Sequence, residues 1–252
     1  MRDNVRQFVA TAAKAFRLQG PVYEFGSFLV AEQGDRGDLR TLFPGQNYVG
    51  CDMRPGPGVD RVEDLAHLTL PDESAQTIIC VDTLEHVIEV RRAVDEMLRV
   101  LAPGGVIVLA VPFEFHIHNY PDDYWRLTPS CLERLLSPLA AVVVGSQGQE
   151  TSPHTVFAVA AKSPVDAEFA GGYQMLAIEM RRYLENQARA VPTVQRAKQW
   201  LRRWSQSNHD RRRAEEFYES RFAMQMRMPS QPEHMAARLS QAASKEMRFD
   251  WT

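Results

Sequence analysis

The sequence lacks several features that would assign the chain to other classes of protein. No apolar run approaches the ~20 residues that cross a bilayer, and residues 1–16 are too polar for a secretory signal. The three cysteines, Cys51, Cys80 and Cys131, are far apart among apolar residues. They match neither a disulfide framework nor a zinc motif. These absences favour reduced thiols and a cytoplasmic location.

Glycine is scarce where a nucleotide-binding loop would need it. In VYEFGSFLVAEQG, residues 22–34, a short apolar run is followed by Gly26 and then by Ser27, Phe28 and Leu29. A dinucleotide fingerprint requires further glycines, because the backbone must approach a pyrophosphate. The segment is therefore either a loop for a cofactor without phosphates or an ordinary strand end.

What the sequence does contain is typical of a globular protein. Of the 252 residues, 44% are hydrophobic and 24% are charged, with a net charge of −3. The first 164 residues carry an excess of acidic side chains and the remainder an excess of basic ones. This change in composition predicts a main domain over 1–164 and a basic extension over 165–252.

The main domain alternates strand-like and helix-like segments. Strands are predicted at 21–25, 47–52, 77–82 and 106–112, helices at 90–101 and 130–139, and a closing strand pair at 141–147 and 155–162. Continuously apolar strands that alternate with helices indicate a parallel sheet covered on both faces.

The basic extension shows helical spacing of its apolar residues. Helices are predicted at 173–187, 194–204, 214–226 and 235–247. They could pack on the main domain, form a dimer interface or a lid, or contact an acidic membrane surface or a partner protein. A nucleic-acid partner is not predicted, because the main domain is acidic and no recognised module is present.

Acidic residues follow three of the predicted strands. Glu24, Asp52 and Asp82 stand at or directly after the strand ends. The carboxyl ends of parallel strands meet at one edge of a sheet, where ligands of such folds bind. We therefore expect these three side chains to lie close together.

Two stretches resemble a known family. DTLEHV (82–87) and LRVLAPGGVIVLAVP (98–112) are similar to segments of the class I S-adenosylmethionine-dependent methyltransferases. The resemblance covers residues 20–162. It implies an α/β, Rossmann-like, seven-stranded doubly wound sheet, here with a helical C-terminal extension, and S-adenosyl-L-methionine as cofactor.

The resemblance also implies roles for particular residues. Glu24 and Gly26 would meet the methionine end of the cofactor, Asp52 the two ribose hydroxyls, Asp64 and Leu65 the adenine edge, and Asp82 the opening between cofactor and substrate. His86 would lie near the active site. The alternatives are that Glu24 and Asp82 are solvated loop residues, that Asp64 begins a turn and that His86 is structural.

A dense polar and aromatic segment, residues 111–129, follows the strand that ends at Pro112. His116, His118 and Asp122 are the candidate proton acceptors or substrate contacts. Alternatively, the YWR stretch (124–126) anchors the loop by packing, or the histidines only hydrogen-bond the loop. An H-x-H pattern with a downstream aspartate is also typical of metal ligands, but two loop histidines are weak evidence and no metal site is predicted.

The sequence thus predicts an S-adenosylmethionine-dependent methyltransferase. The expected acceptor is an oxygen, or less readily a nitrogen, on a small molecule or glycan precursor, and a homo-oligomer is possible. The alternative is a binding or scaffolding protein that has kept the fold and lost turnover, which the glycine-poor loop and the long tail motivate.

Overall fold

A computed structural model describes residues 2–31, 37–118, 122–190 and 221–228. Within them, eight strands form one sheet in the order β3-β2-β1-β4-β5-β7-β6-β8. The strands are β1 Val22–Phe25, β2 Tyr48–Asp52, β3 Arg61–Val62, β4 Ala75–Val81, β5 Leu101–Pro112, β6 Ala141–Gly148, β7 Pro153–Ala161 and β8 Arg221–Arg227. The helices are α1 Asp3–Ala15, α2 Val90–Val100, α3 Pro129–Leu135 and α4 Glu168–Ala190.

The sheet is parallel from β3 to β5 and antiparallel from β5 to β8. β1 lies between β2 and β4, so the chain leaves β1 on one side and returns on the other. Such a reversal creates a crevice beyond the carboxyl ends of the strands, and ligands of open α/β sheets bind there. The register places Phe25 beside both Cys51 and Cys80 at this point.

Helices cover both faces of the sheet, as the apolar strands predict. On one face, α2 and α3 bury residues such as Met97 and Leu132 against β4 to β7. On the other, α1 and α4 bury Phe8 and Leu176 against the same strands. The ring centroids of Phe8 and Phe157 are 4.3 Å apart, which fixes α1 on β7. The doubly wound arrangement is confirmed.

Two details differ from the sequence-based expectation. The sheet of the described residues has eight strands instead of seven. The helix predicted over 214–226 is wrong for residues 221–226, which belong to β8. β8 pairs antiparallel with β6, and a Cβ on Gly145 of β6 would lie 2.4 Å from the Ala223 carbonyl oxygen. The lack of a side chain at Gly145 therefore lets β8 approach. β-pairing, which the local pattern does not encode, overrides the helical spacing.

The rest of the extension is described in part. α4 contains the helix predicted at 173–187 and packs on α1. The helices predicted at 194–204 and 235–247, and residues 214–220, lie outside the described residues. The domain boundary at residue 164 stays a prediction. None of the described helices has the length and apolar character needed to cross a membrane.

Candidate cofactor and acceptor site

A cavity of about 720 Å³ opens beside the crevice between β1 and β4. Every site residue predicted from the sequence lines it: Glu24, Gly26, Asp52, Asp64, Leu65, Asp82, His116, His118 and Asp122. The structure therefore brings together residues that are up to 98 positions apart in the chain. Their individual roles stay predictions.

Gly26 turns the chain sharply at the end of β1. Its φ of +86° is in the left-handed region that favours glycine. A Cβ at this position would lie 2.0 Å from Thr83 Oγ1, on the loop that follows β4. The Gly26 amide donates to the Cys51 carbonyl at 2.8 Å. Glycine is therefore required here by both backbone conformation and space.

The residues after Gly26 pack on the loop that follows β2, which explains why this segment needs so few glycines. The Leu29 amide donates to the Pro57 carbonyl at 2.9 Å. A Cβ on Gly58 would lie 2.5 Å from the Ser27 carbonyl oxygen. The close approach between the two loops is thus provided by a glycine of the second loop.

Glu24 is the buried carboxylate of β1. It is 5% exposed, and the Tyr48 hydroxyl donates to its Oε2 at 2.7 Å. Burial disfavours the charged form and raises the pKa of Glu24 from 4.5 to about 7. A cationic ligand group beside it would favour the ionised form again.

Asp52 ends β2 with its side chain held toward the cavity. The Arg54 amide donates to Oδ1 at 3.1 Å, and the Phe28 amide donates to Oδ2 at 3.4 Å. The Arg54 guanidinium lies over the Phe28 ring, 4.8 Å from its centroid. A carboxylate has about four acceptor positions, so each oxygen keeps capacity for one further donor, as a vicinal diol requires.

Asp64 begins a turn, which is the alternative to a contact with the adenine edge that the sequence left open. Its Oδ1 accepts from the Ala66 amide at 2.9 Å, and its Oδ2 lies 3.0 Å from His67 Nδ1. The side chain is 62% exposed, whereas the neighbouring Leu65 is buried against the cavity wall. Both residues line the cavity, so the turn also positions them.

Asp82 is joined to the N-terminal end of the chain. Arg2 Nη2 lies 2.7 Å from Asp82 Oδ1, and Arg2 Nη1 donates to Thr155 Oγ1 at 2.6 Å. Asp82 is therefore an ion-paired residue and not a solvated loop residue. Arg2 also lines the cavity, and sequence reasoning missed it, because no local pattern connects residue 2 with β4 and β7.

Two imidazoles meet where the loops after β4 and β5 approach each other. The rings of His86 and His118 are 4.8 Å apart and nearly perpendicular. His86 Nδ1 lies 2.5 Å from the Asp122 carbonyl oxygen, and His118 Nδ1 lies 3.0 Å from Asp123 Oδ2. Burial lowers the pKa of His86, which favours its neutral form.

The YWR stretch anchors this arrangement in part. Arg126 donates to both oxygens of Asp123, at 2.5 and 2.7 Å, and these bonds hold the pKa of Asp123 well below its usual range. Trp125 is 37% exposed, so it does not lie in the core; its indole N–H donates to the Val87 carbonyl at 2.9 Å. Arg126 thus fits the packing alternative and Trp125 does not.

His116 and Asp122 lie at the more exposed side of the cavity. The His116 ring packs against the Phe115 ring, with centroids 4.2 Å apart. The Tyr124 hydroxyl donates to Asp122 Oδ2 at 3.0 Å. All four residues line the cavity, so aromatic surface and proton-accepting groups face the same space.

Glu85 is a cavity residue that the sequence analysis did not select. It is 1% exposed, and neither carboxylate oxygen accepts a hydrogen bond from another described residue. Burial, reinforced by nearby Asp82, raises the pKa of Glu85 to about 8. The available signal was its position between Leu84 and His86, since a glutamate in an apolar turn beside a site histidine is unusual.

Comparison with known proteins adds the following. The family model described as "Methyltransferase domain" matches residues 42–109. No curated protein matches the chain significantly. Similar solved structures include a SAM-dependent methyltransferase, possible histamine N-methyltransferase, from Thermotoga maritima (16% identity, 63% of this chain and 92% of that one, TM-score 0.43).

Two similar structures contain S-adenosylhomocysteine. One is the 1,6-didemethyltoxoflavin-N1-methyltransferase of Burkholderia thailandensis (17% identity, 65% and 80% coverage, TM-score 0.46). The other is N-methyltransferase NodS of Bradyrhizobium japonicum (15% identity, 64% and 87% coverage, TM-score 0.46).

The matched segment runs from just before β2 into β5 and includes the loop that carries Asp82 and His86. The same segment contains most of the sequence stretches that carry the family resemblance. The chain thus contains a segment, residues 42–109, that matches the model of the methyltransferase domain family.

Proposed function

We propose that the protein transfers the methyl group of S-adenosylmethionine to a hydroxyl oxygen of a small molecule or glycan precursor. The observation that carries this proposal is the set of residues that line this cavity. Carboxylates suited to the cofactor occupy the ends of β1 and β2, and imidazole and carboxylate groups suited to a hydroxyl acceptor occupy the loop after β5.

The assignment of the cofactor-binding residues follows from charge and hydrogen-bonding capacity. Glu24 would take the ammonium group of the methionine moiety, because burial removes the carboxylate from water and an adjacent cation would stabilise its ionised form. Asp52 would accept both ribose hydroxyls with the capacity that its two backbone bonds leave. Leu65 offers apolar surface to the adenine. Hydrogen bonds to charged groups contribute about 1.5–3 kcal/mol each.

The assignment of the acceptor-binding residues follows from the need to remove a proton from the hydroxyl group. An alcohol is a weak nucleophile, and a positioned base contributes about 10²–10⁴-fold to such a reaction. His116, His118 and Asp122 are the candidate bases. Phe115 and Tyr124 are partly exposed at the same mouth, and their rings offer a flat surface to a sugar or aromatic acceptor. Alignment of the oxygen with the methyl group supplies a further share of the rate.

The test is transfer from methyl-labelled cofactor to a panel of sugars, phenols and aliphatic alcohols, with amines of matched shape. We expect labelled ether products, and His116→Ala, His118→Ala or Asp122→Ala should lower the rate. Asp95→Asn, on the exposed surface of α2 outside the cavity, is the control. Labelled amines alone would refute the choice of oxygen. Normal turnover in all three loop variants would refute the assignment of the loop.

The scaffolding alternative is tested in the same assay. If the cofactor binds but no methyl group is transferred to any hydroxyl or amine of the panel, the scaffolding function is favoured over the methyltransferase function. A membrane surface or partner protein for the basic extension, a homo-oligomer and a cytoplasmic location stay predictions. Solution mass and activity after deletion of residues 165–252 would test whether the extension forms a dimer interface or a lid.

A further inference from the structure

Three side chains with metal-binding atoms converge on one point of the cavity. One atom each of Glu85, His86 and His118 lies within 4.8 Å of the other two. Glu85 Oε1 and His86 Nε2 are 3.7 Å apart. A tetrahedral ion with bonds of about 2.1 Å spaces its ligands about 3.4 Å apart. The cluster therefore needs only a modest inward rotation of side chains to enclose one ion.

In both rings, an oxygen acceptor lies beside Nδ1. His86 Nδ1 faces the Asp122 carbonyl and His118 Nδ1 faces the Asp123 carboxylate, and these oxygens can only accept. Each Nδ1 therefore acts as the donor, so Nε2 is the nitrogen that each ring would offer to an ion. Metal-binding histidines show this arrangement, in which an oxygen acceptor behind the ring fixes its tautomer and orientation.

The groups around the two histidines are themselves held by hydrogen bonds. Asp123 is held by two bonds from Arg126 and by the His118 amide at 3.1 Å. The Glu85 carbonyl accepts from the Tyr124 amide at 2.7 Å, which ties the turn after β4 to the loop after β5. Hydrogen bonds between described residues thus join the two segments that carry the cluster.

Glu85 supplies the independent indication of a ligand. A carboxylate at 1% exposure without a hydrogen bond from another described residue is costly unless a charge or donor satisfies it. The nearby Arg2 is engaged with Asp82 and Thr155. Glu85 also lines the cavity, so an ion that enters from the cavity side would reach it directly.

We infer that Glu85, His86 and His118 bind one divalent transition cation, with at least one coordination position open toward the cavity. Two imidazoles and one carboxylate suit zinc and similar borderline ions, whereas magnesium and calcium prefer oxygen ligands. Three protein ligands with an open position are typical of catalytic zinc sites. The assignment makes His118 a ligand, which leaves His116 and Asp122 as the acceptor contacts.

The role of the cation rests on the proposed function. An acceptor hydroxyl bound at the open position becomes more acidic, because the cation stabilises its oxyanion. Its proton passes to His116 or Asp122, the candidate bases that remain, and the oxygen lone pair attacks the methyl carbon. The carbon–sulfur bond breaks with its electron pair on sulfur. The products are the methyl ether and neutral S-adenosylhomocysteine, and the cation does not change oxidation state.

The test is direct metal binding by the full chain after treatment with a chelator. Titration with zinc, and with cobalt(II) for its visible spectrum, should show one ion per chain and absorption typical of four or five ligands that include nitrogen. Glu85→Gln and His118→Ala should each weaken binding at least 100-fold. His116→Ala is the matched control, because it removes a histidine of the same loop outside the cluster and should leave metal affinity unchanged.

The variants also distinguish a ligand from a packing residue. Glu85→Gln keeps the shape of the side chain, so the metal-free variant should unfold at a temperature no lower than the wild type. Zinc should raise the unfolding temperature of the wild type and not that of Glu85→Gln. Less than one ion per chain, or equal affinity in wild type and Glu85→Gln, would overturn the inference.

Different experimental results would refute the metal site and the proposed function. Stoichiometric zinc binding without transfer to any hydroxyl would support the site and refute oxygen methylation. Transfer to hydroxyls at an undiminished rate by metal-free protein would overturn the role of the cation and leave the proposed function standing.

Discussion

Glu24 should make cofactor binding depend on pH. Its carboxyl group in the free protein has a pKa of about 7, raised by burial, and faces Tyr48, Asp38, Arg40 and Asp52. If the cationic ammonium of the cofactor binds beside it, the ionised form is required. Below pH 7 binding must therefore release a proton, and the affinity falls about tenfold for each pH unit.

The expected magnitude follows from that pKa. Between pH 8 and pH 5 the affinity for S-adenosylmethionine should fall about 100-fold, because pH 5 lies two units below the pKa of Glu24. Calorimetric titration at several pH values measures the affinity, and buffers of different ionisation enthalpy measure the released proton. The side chain of Glu24→Gln still accepts from the Tyr48 hydroxyl but cannot ionise, so its affinity should be weaker and nearly independent of pH.

The free energy of unfolding provides an independent check of the same carboxyl group. A raised pKa means that the folded state binds more protons than the unfolded state between pH 4.5 and about 7. The cofactor-free protein should therefore lose up to about 3 kcal/mol of stability as the pH rises through that range. Glu24→Gln should lack this loss. Cofactor affinity with the same pH slope in wild type and Glu24→Gln would refute the reasoning.

Three further substitutions test other parts of the structure. Asp52→Asn should weaken cofactor binding about 10- to 150-fold, the equivalent of about 1.5–3 kcal/mol for hydrogen bonds to a charged group. Gly26→Ala should destabilise the fold and reduce cofactor affinity, because its Cβ meets Thr83 and its φ of +86° is strained. Gly145→Ala should displace β8, because its Cβ meets the Ala223 carbonyl, and hydrogen exchange over 221–227 should then accelerate.

For each of these three substitutions, one experimental result would contradict the prediction. Asp52→Asn with wild-type affinity would exclude Asp52 from the cofactor site. In Gly26→Ala, full rescue of stability by an added Thr83→Ala would show that crowding acts alone, whereas we expect about 1–2 kcal/mol of backbone strain to persist. Ser146→Ala, next to Gly145 in β6, is the control for β8, and equal protection of 221–227 in both variants would refute the steric role of Gly145.

The local sequence determined most elements of the main domain, and its predicted site residues line one cavity. Apolar runs and helical spacing depend only on neighbouring residues, so the predicted strands at 21–25 and 47–52 and the helix at 90–101 agree closely with β1, β2 and α2. The acidic strand ends were sufficient to locate the cavity, because parallel strands bring their carboxyl ends to one edge whatever the loops do.

Only the tertiary structure decided the partners of those residues. The pairing of Arg2 with Asp82, the position of β8 against Gly145 and the convergence of Glu85, His86 and His118 all join distant segments. No local period encodes such contacts, since they arise from the order of strands and the loops between them. The sequence by itself therefore predicted acidic residues at the edge of the sheet, and the fold decided which side chains lie together there.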